Sequence, residues 1–342
     1  MSSQKALFLK EKQGSFSIDT RDIPTPTVSE ILVEIKAVAL NPLDWKIQAT
    51  GAYVQNYPAI LGTSIAGDVV KGVEGFSVGD RVLFQGSLEN DLAGFQQFTK
   101  VFVEIAAKIP ENLSYSQAAS VPSGLATAAI GLFWTNNGAG LNPNFDKNVQ
   151  YPNHAAVVIG GASSVGQYAL QLLKFSGFSP IIAYASGHHT QFLKRLGATH
   201  IIDRKSTAIQ DLPTEVKKIT DAPVKVVYDA VSQVDTQEAG YNTLSTAEGG
   251  GDLVILLATQ VKNVVEGKRV RHIFGSVQPA QNRPFGRALF KNLTQFLEDG
   301  TIVPNAVEEI PDGLAGIPDG LERLKKGQVS ATKLIALPHE TK

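Results

Sequence analysis

The sequence predicts an α/β chain of two domains, one β-rich and one built on a doubly wound parallel sheet. Three observations predict it. At 342 residues the chain exceeds the size at which a single core keeps growing. Its first hundred residues are short strand-like runs separated by Gly, Pro and Asp. From Ala155 to about Ala258, strands alternate with amphipathic helices, the pattern of βαβ units.

In chain order, "ALFLK", "SFSID", "ILVEIKAVAL", "AGDVVKGV", "DRVLFQG" and "FQQFTKVF" read as strands of a barrel or sandwich, and "FSVGDRV" as one of its turns. "LSYSQAASVPSGLATAAIGLFW" (113–134) has helical periodicity. Residues 135–154, rich in Asn, Gly and Pro, read as a surface excursion. "AAVVIG", "IIAYAS", "HIID", "VKVVYDAV" and "DLVILLA" then read as strands, with "VGQYALQLLKFSG" and "HTQFLKRLGA" as helices between them. Beyond residue 276 come two helices, "RALFKNLTQFLEDG" and "DGLERLKKG", and a closing strand, "ATKLIAL". The expected domains are 1–120 with 276–342, and 121–275.

Composition removes several classes of function. A net charge of −1 lacks the basic excess of a nucleic-acid binder. No window approaches 18 uninterrupted apolar residues, so no membrane span is expected. The start "MSSQKALFLKEKQGS" has no signal-peptide core, which makes the cytoplasm the expected location. With no cysteine there are no disulfides, no thiolate nucleophile and no sulfur-ligated zinc.

The stretch "VVIGGASSVGQ" (157–167) carries the chemistry. Gly161, Ser163 and Gly166 fall on the three positions of G-x-G-x-x-G, between a strand and a helix. Small residues are needed there because backbone N–H groups must approach a pyrophosphate at the positive end of the helix. A tight turn without a ligand uses the same residues, but the βαβ context favours a dinucleotide cradle formed by Gly160, Gly161, Ser163, Ser164, Val165 and Gly166. An NAD site places Asp or Glu about 20 residues further on. Here no acidic residue occurs between Gly161 and Asp203; Ser186, His188 and His189 occupy the second strand end, and Arg204 follows the third strand. Hydroxyl, imidazole and guanidinium donors suit a 2′-phosphate, so the expected cofactor is NADPH. For the histidines a solvated loop, and for Arg204 a plain surface position, are the alternatives.

Several phrases resemble the medium-chain dehydrogenase/reductase superfamily over nearly the whole chain: "ALNPLDWKI" (39–47), "PAILGTSIAGDVV" (58–70), "VGDRV" (78–82), "AASVPSGLATAAIGLF" (118–133), "GGASSVGQYALQLLK" (160–174), "LGATHIID" (196–203) and "VSATKLIAL" (329–337). The resemblance implies a GroES-like catalytic domain and a Rossmann NADPH-binding domain. It is nearest the zinc-free quinone oxidoreductase and enoyl reductase branch, because "GHE" of the zinc enzymes stands here as Gly62-Thr63-Ser64. "NPLDWK" resembles fungal stand-alone enoyl reductases in particular.

This branch implies hydride transfer to the β-carbon of an activated C=C bond in an enoyl thioester or an unsaturated ketone or aldehyde. The resemblance puts Tyr53 at a proton donor's position, with a cleft wall as its alternative. It puts Asn41 and Lys46 beside the nicotinamide or the substrate carbonyl, and gives Asp44 an organising role in their loop. Thr127 is placed near the nicotinamide ribose, Leu257 and Ala258 near the carboxamide, and Phe274 on the cleft wall. Lys333 is placed at a cofactor phosphate, or on an edge strand that it protects from aggregation. The expected partners are a small-molecule or acyl-thioester substrate and an acyl carrier domain. Quinone reduction is the alternative activity, and a non-catalytic NADPH-binding protein the alternative of another class. Oligomeric state is left open.

Overall fold

The computed structural model describes residues 3–247 and 249–342. The chain divides into two compact units. One comprises the chain through Ser123 together with Ser276–Asp299 and Pro304–Lys342; the other comprises Gly124–Gly275 and Gly300–Val303.

The first unit is β-rich. Its larger sheet runs Ala306–Glu309, Thr332–Ala336, Glu30–Ala39, Ser64–Lys71, Arg81–Gln85 and Ala106–Lys108, with Phe98–Phe102 also paired to Glu30–Ala39. A smaller sheet places Ser3–Leu9 between Phe16–Asp22 and Ala59–Ile60. The central strand Glu30–Ala39 alternates Ile31, Val33 and Ile35 inward, all fully buried. Burying such side chains stabilises the fold by about 1.5–3 kcal/mol each. Gly67 faces that strand where only hydrogen fits, since a Cβ there would lie 2.1 Å from the Glu34 carbonyl oxygen.

The second unit holds a six-stranded, all-parallel sheet in the spatial order His200–Asp203, Ile181–Ala185, Ala155–Ile159, Val224–Asp229, Gly251–Ile255, Lys268–His272. Numbered along the chain this is 3-2-1-4-5-6, the doubly wound Rossmann order. Helices Ser164–Phe175, Thr190–Arg195, Leu212–Ile219 and Val234–Thr243 connect the strands. Val157, Ile159, Ile182, Val227, Leu253 and Ile255 fill the core.

The expected elements appear with instructive differences. The helical run at 113–134 is two helices, Tyr115–Ala119 and Pro122–Phe133, because Pro122 has no N–H with which to continue the first and instead begins the second. Lys268–His272 and Ala306–Glu309 are strands that the sequence pattern does not announce. Both lie at sheet edges and are polar, so no apolar alternation marks them. Helix Pro42–Thr50 also lacks a strong apolar face, burying only Asp44 and Ile47.

Thr332–Ala336 corrects the edge-strand reading of Lys333. This strand lies between Ala306–Glu309 and Glu30–Ala39, so Lys333 is interior and only 5% exposed. Among the described residues, no helix is long and apolar enough to cross a membrane.

Candidate functional site

In the second unit, the chain leaves strand Ala155–Ile159 through Gly160, whose φ of 75° is left-handed. Glycine is the residue that adopts it without cost. Space is also short, since a Cβ on Gly160 would lie 2.8 Å from Val231 Cγ2. The turn role therefore belongs to Gly160, one position before the glycine that the motif pattern selects. Gly161 is buried with little room toward Ala183. At Gly166 a Cβ would lie 2.3 Å from the Gly160 carbonyl oxygen, so the helix rests directly on the strand end.

Ser163 caps helix Ser164–Phe175, its Oγ accepting the Gly166 N–H at 3.1 Å. That N–H is thereby committed to the cap. Ser163 is exposed, and Ser164 and Val165 are half-buried, in the first turn at the positive helix end. A turn that opens on two glycines, close helix packing and a capped positive helix end fit a pyrophosphate.

The end of the second strand gathers the residues expected at the adenosine ribose. Ser186 is buried, and its Oγ accepts Arg204 Nε–H at 2.8 Å. The backbone N–H of Arg204 donates to the Ala185 carbonyl at 3.0 Å, tying this arginine to the strand end. His188 and His189 share one 3-10 turn, with ring centroids 3.8 Å apart. Partial burial, then the neighbouring His188 and Arg204, hold His189 below the usual histidine range. The nearby carboxylate, Asp203, is turned into the loop, where it accepts the backbone N–H groups of Lys205 and Gly187.

Of the other predicted residues of this unit, Thr127 lies in helix Pro122–Phe133, and Leu257, Ala258 and Phe274 lie on loops. Thr127 Oγ1 donates to the Gly275 carbonyl at 3.4 Å, and the adjacent Phe274 is 45% exposed. Leu257 and Ala258 follow strand Gly251–Ile255. Sequence reasoning missed what holds them. Gln237, fully buried, donates to the carbonyls of Ser232 and Ala258 and accepts the Gln260 N–H. Asp229, at the next strand end, accepts from the N–H groups of Val231 and Ser232 and from Thr236 Oγ1; burial raises its pKa. The polar run "DAVSQVDTQ" after an apolar strand was the available signal.

In the first unit, Asn41 caps helix Pro42–Thr50, with Pro42 in the first turn. Asp44, fully buried, accepts the Asn41 backbone N–H at 2.8 Å and the Gly62 N–H at 3.3 Å. Lys333 Nζ donates to Asn41 Oδ1 at 2.6 Å. Burial raises Asp44 to about 6, against its two backbone donors and Lys333. Burial likewise lowers Lys333 to about 8, against the attraction of Asp44. The ammonium is buried and donates to Asn41 Oδ1, the contact the structure gives it.

Lys46, on the same helix, is half-buried, which lowers its pKa; its Nζ lies 5.8 Å from the Trp45 ring centroid. Tyr53 follows the helix end at Gly51, with φ of 68° and 62% exposure. It borders a surface groove with Lys12, Gly51, Val54, Gln55 and Tyr57.

Gly62-Thr63-Ser64 forms a hydroxyl network. Thr63 Oγ1 lies 3.1 Å from Ser123 Oγ, which donates to the Thr63 carbonyl, and Ser64 Oγ accepts the Ser123 N–H. All three side chains are buried. Hydroxyls engaged with one another in a chain without cysteine are not a zinc donor set.

Residues 27–111 match the family model of the alcohol dehydrogenase GroES-like domain, and residues 164–282 that of zinc-binding dehydrogenases. A trans-enoyl reductase of a Penicillium species is 30% identical, over 97% of this chain and 97% of its own length. Two solved structures share the fold. A quinone oxidoreductase from Coxiella burnetii has a TM-score of 0.73 at 21% identity, covering 98% of this chain and 99% of the other. A mycobacterial protein complexed with NADPH has a TM-score of 0.75 at 20% identity, covering 98% and 100%. The GroES-like and Rossmann units, the glycine cradle and a relative aligned nearly end to end lead to one assignment: the chain belongs to the medium-chain dehydrogenase/reductase superfamily.

Proposed function

We propose that this protein is an NADPH-dependent, zinc-independent reductase of activated C=C bonds, acting on enoyl thioesters or on α,β-unsaturated ketones and aldehydes. The observation that carries it is the Asn41 amide, whose Oδ1 accepts from Lys333 Nζ and whose Nδ2 donates to the Ala39 carbonyl, in a chain with Gly62-Thr63-Ser64 in place of a zinc-ligand phrase. That amide offers a hydrogen-bond donor to a substrate carbonyl, and no step runs through a metal. The trans-enoyl reductase relative supports the reaction class, and the Ser186, His188, His189 and Arg204 cluster supports NADPH over NADH.

When bound, the reduced nicotinamide supplies a hydride to the β-carbon. The protein's part is binding, orientation and charge stabilisation. The cradle from Gly160 to Gly166 holds the pyrophosphate, and the histidine pair with Arg204 holds the 2′-phosphate. Asn41 Nδ2 donates to the carbonyl oxygen as enolate charge develops, Lys46 adds positive potential, and Tyr53 delivers a proton to the α-carbon. An acyl carrier domain is a proposed partner where the thioester is carrier-bound, and the cytoplasm is the proposed location.

The test is consumption of NADPH, beside NADH, with a trans-2-enoyl thioester, a simple enone and a quinone. Thioester or enone turnover favouring NADPH is expected. Turnover of quinone alone would replace this reading with quinone reduction, and saturable NADPH binding without turnover would leave a non-catalytic binder.

A further inference from the structure

Two neighbours determine which atom of the Asn41 amide is which. An ammonium has only donors, so the atom 2.6 Å from Lys333 Nζ is the oxygen. The Ala39 carbonyl has only an acceptor, so the atom 3.2 Å from it is the nitrogen. Among the described residues, one Nδ2 N–H of Asn41 is then left unshared. Strand register produces this arrangement. Ile335 pairs with Ala39, and the Leu40 N–H donates to the Leu334 carbonyl at 2.9 Å, which brings Lys333 opposite Asn41 across 292 residues of chain.

The arrangement is costly. Lys333 is 5% exposed and Asp44 fully buried, and taking two such charges out of water carries a desolvation cost. Asp44 already holds the loop through the N–H groups of Asn41 and Gly62, so the loop itself does not require an ammonium. What the ammonium does is donate to the oxygen of Asn41, adding a charged donor to the capping box that the Asn41 side chain forms with the Asp44 N–H.

We propose that Lys333 is a positioning residue that orients Asn41 as a hydrogen-bond donor, so that the site accepts a substrate through a carbonyl oxygen. The proposal rests on the reading of Asn41 as the group that meets that carbonyl. It assigns Lys333 no contact with substrate or cofactor.

The test uses the full chain without cofactor and follows the side-chain amide ¹⁵N–¹H signals of Asn41, identified by their loss in Asn41→Ala. The wild type should show two well-separated, slowly exchanging N–H signals. In Lys333→Met they should collapse toward the free-amide position and exchange faster; in Lys333→Gln, whose amide can replace the donor, they should persist. Unchanged signals in Lys333→Met overturn the proposal. If that variant does not fold, Asp44→Asn/Lys333→Met, which leaves no unpaired buried charge, carries the same test.

In turnover of an enone, Lys333→Met should lower kcat by roughly 10-fold to 100-fold, the scale of a lost oriented donor, with KM for NADPH unchanged. In an Asn41→Ala background it should have no further effect. An equal loss in both backgrounds overturns the proposal while leaving the reductase reading intact. A wild type that reduces no enone or thioester overturns that reading, and the amide signals still decide the role of Lys333.

Discussion

A Cβ on Gly166 would stand 2.3 Å from the carbonyl oxygen of Gly160, so the helix beneath the cradle meets the strand end with no space between them. Gly166→Ala must push the helix away and disturb the turn. The expected result is loss of measurable NADPH binding by fluorescence titration, together with a lower thermal midpoint. An alanine variant that binds NADPH as the wild type does would remove the cradle from the cofactor site.

The histidine pair gives the cofactor preference a pH dependence. His189 is held below the usual range, so it is largely neutral at pH 7 and gains charge only at more acidic pH. An imidazolium attracts the 2′-phosphate, which NADH lacks. The ratio of NADPH to NADH affinity should therefore rise as the pH is lowered below the ordinary histidine value of about 6.5. In His188→Ala/His189→Ala the ratio should be smaller and flat with pH. Equal weakening toward both cofactors would exclude the phosphate contact.

Tyr53 is exposed enough to meet a ligand, and its left-handed backbone turns it out of the helix direction. If it delivers the proton, Tyr53→Phe lowers kcat by about 10²-fold, the scale of a lost general acid. Stopped-flow measurement of NADPH oxidation with an enone tests this, and a near-normal rate would assign the proton to water.

The buried pair Asp44 and Lys333 should leave a signature in stability against pH. Asp44 is raised to about 6, so the folded state binds its proton more tightly than the unfolded state, and stability falls as pH rises from about 4 to 6. Lys333 is lowered to about 8, so the folded state releases its proton first, and stability rises from pH 8 upward. The difference between the wild type and Asp44→Asn/Lys333→Met, from urea unfolding at each pH, should fall, flatten between 6 and 8, and rise again. A difference independent of pH would show that the pair does not titrate with folding.

Local pattern was enough to read the two-part α/β architecture, the Rossmann alternation and the place of the glycine turn between strand and helix. Each depends on residues close together in the chain: apolar runs of strand length, helical periodicity, and small residues between a strand and a helix. The polar edge strands Lys268–His272 and Ala306–Glu309 escaped because their place comes from backbone pairing with a neighbour, which leaves no apolar alternation. The partners of the candidate site were beyond the sequence for a related reason. Nothing near Lys333 in the chain announces Asn41, nor does anything near Thr63 announce Ser123; sheet register and helix placement bring them within hydrogen-bond distance. The sequence by itself determined which chemical groups this protein has, including the absence of any thiolate. Only the tertiary structure decided which of them are buried together, and so which amide is held as a donor and which hydroxyls are already engaged.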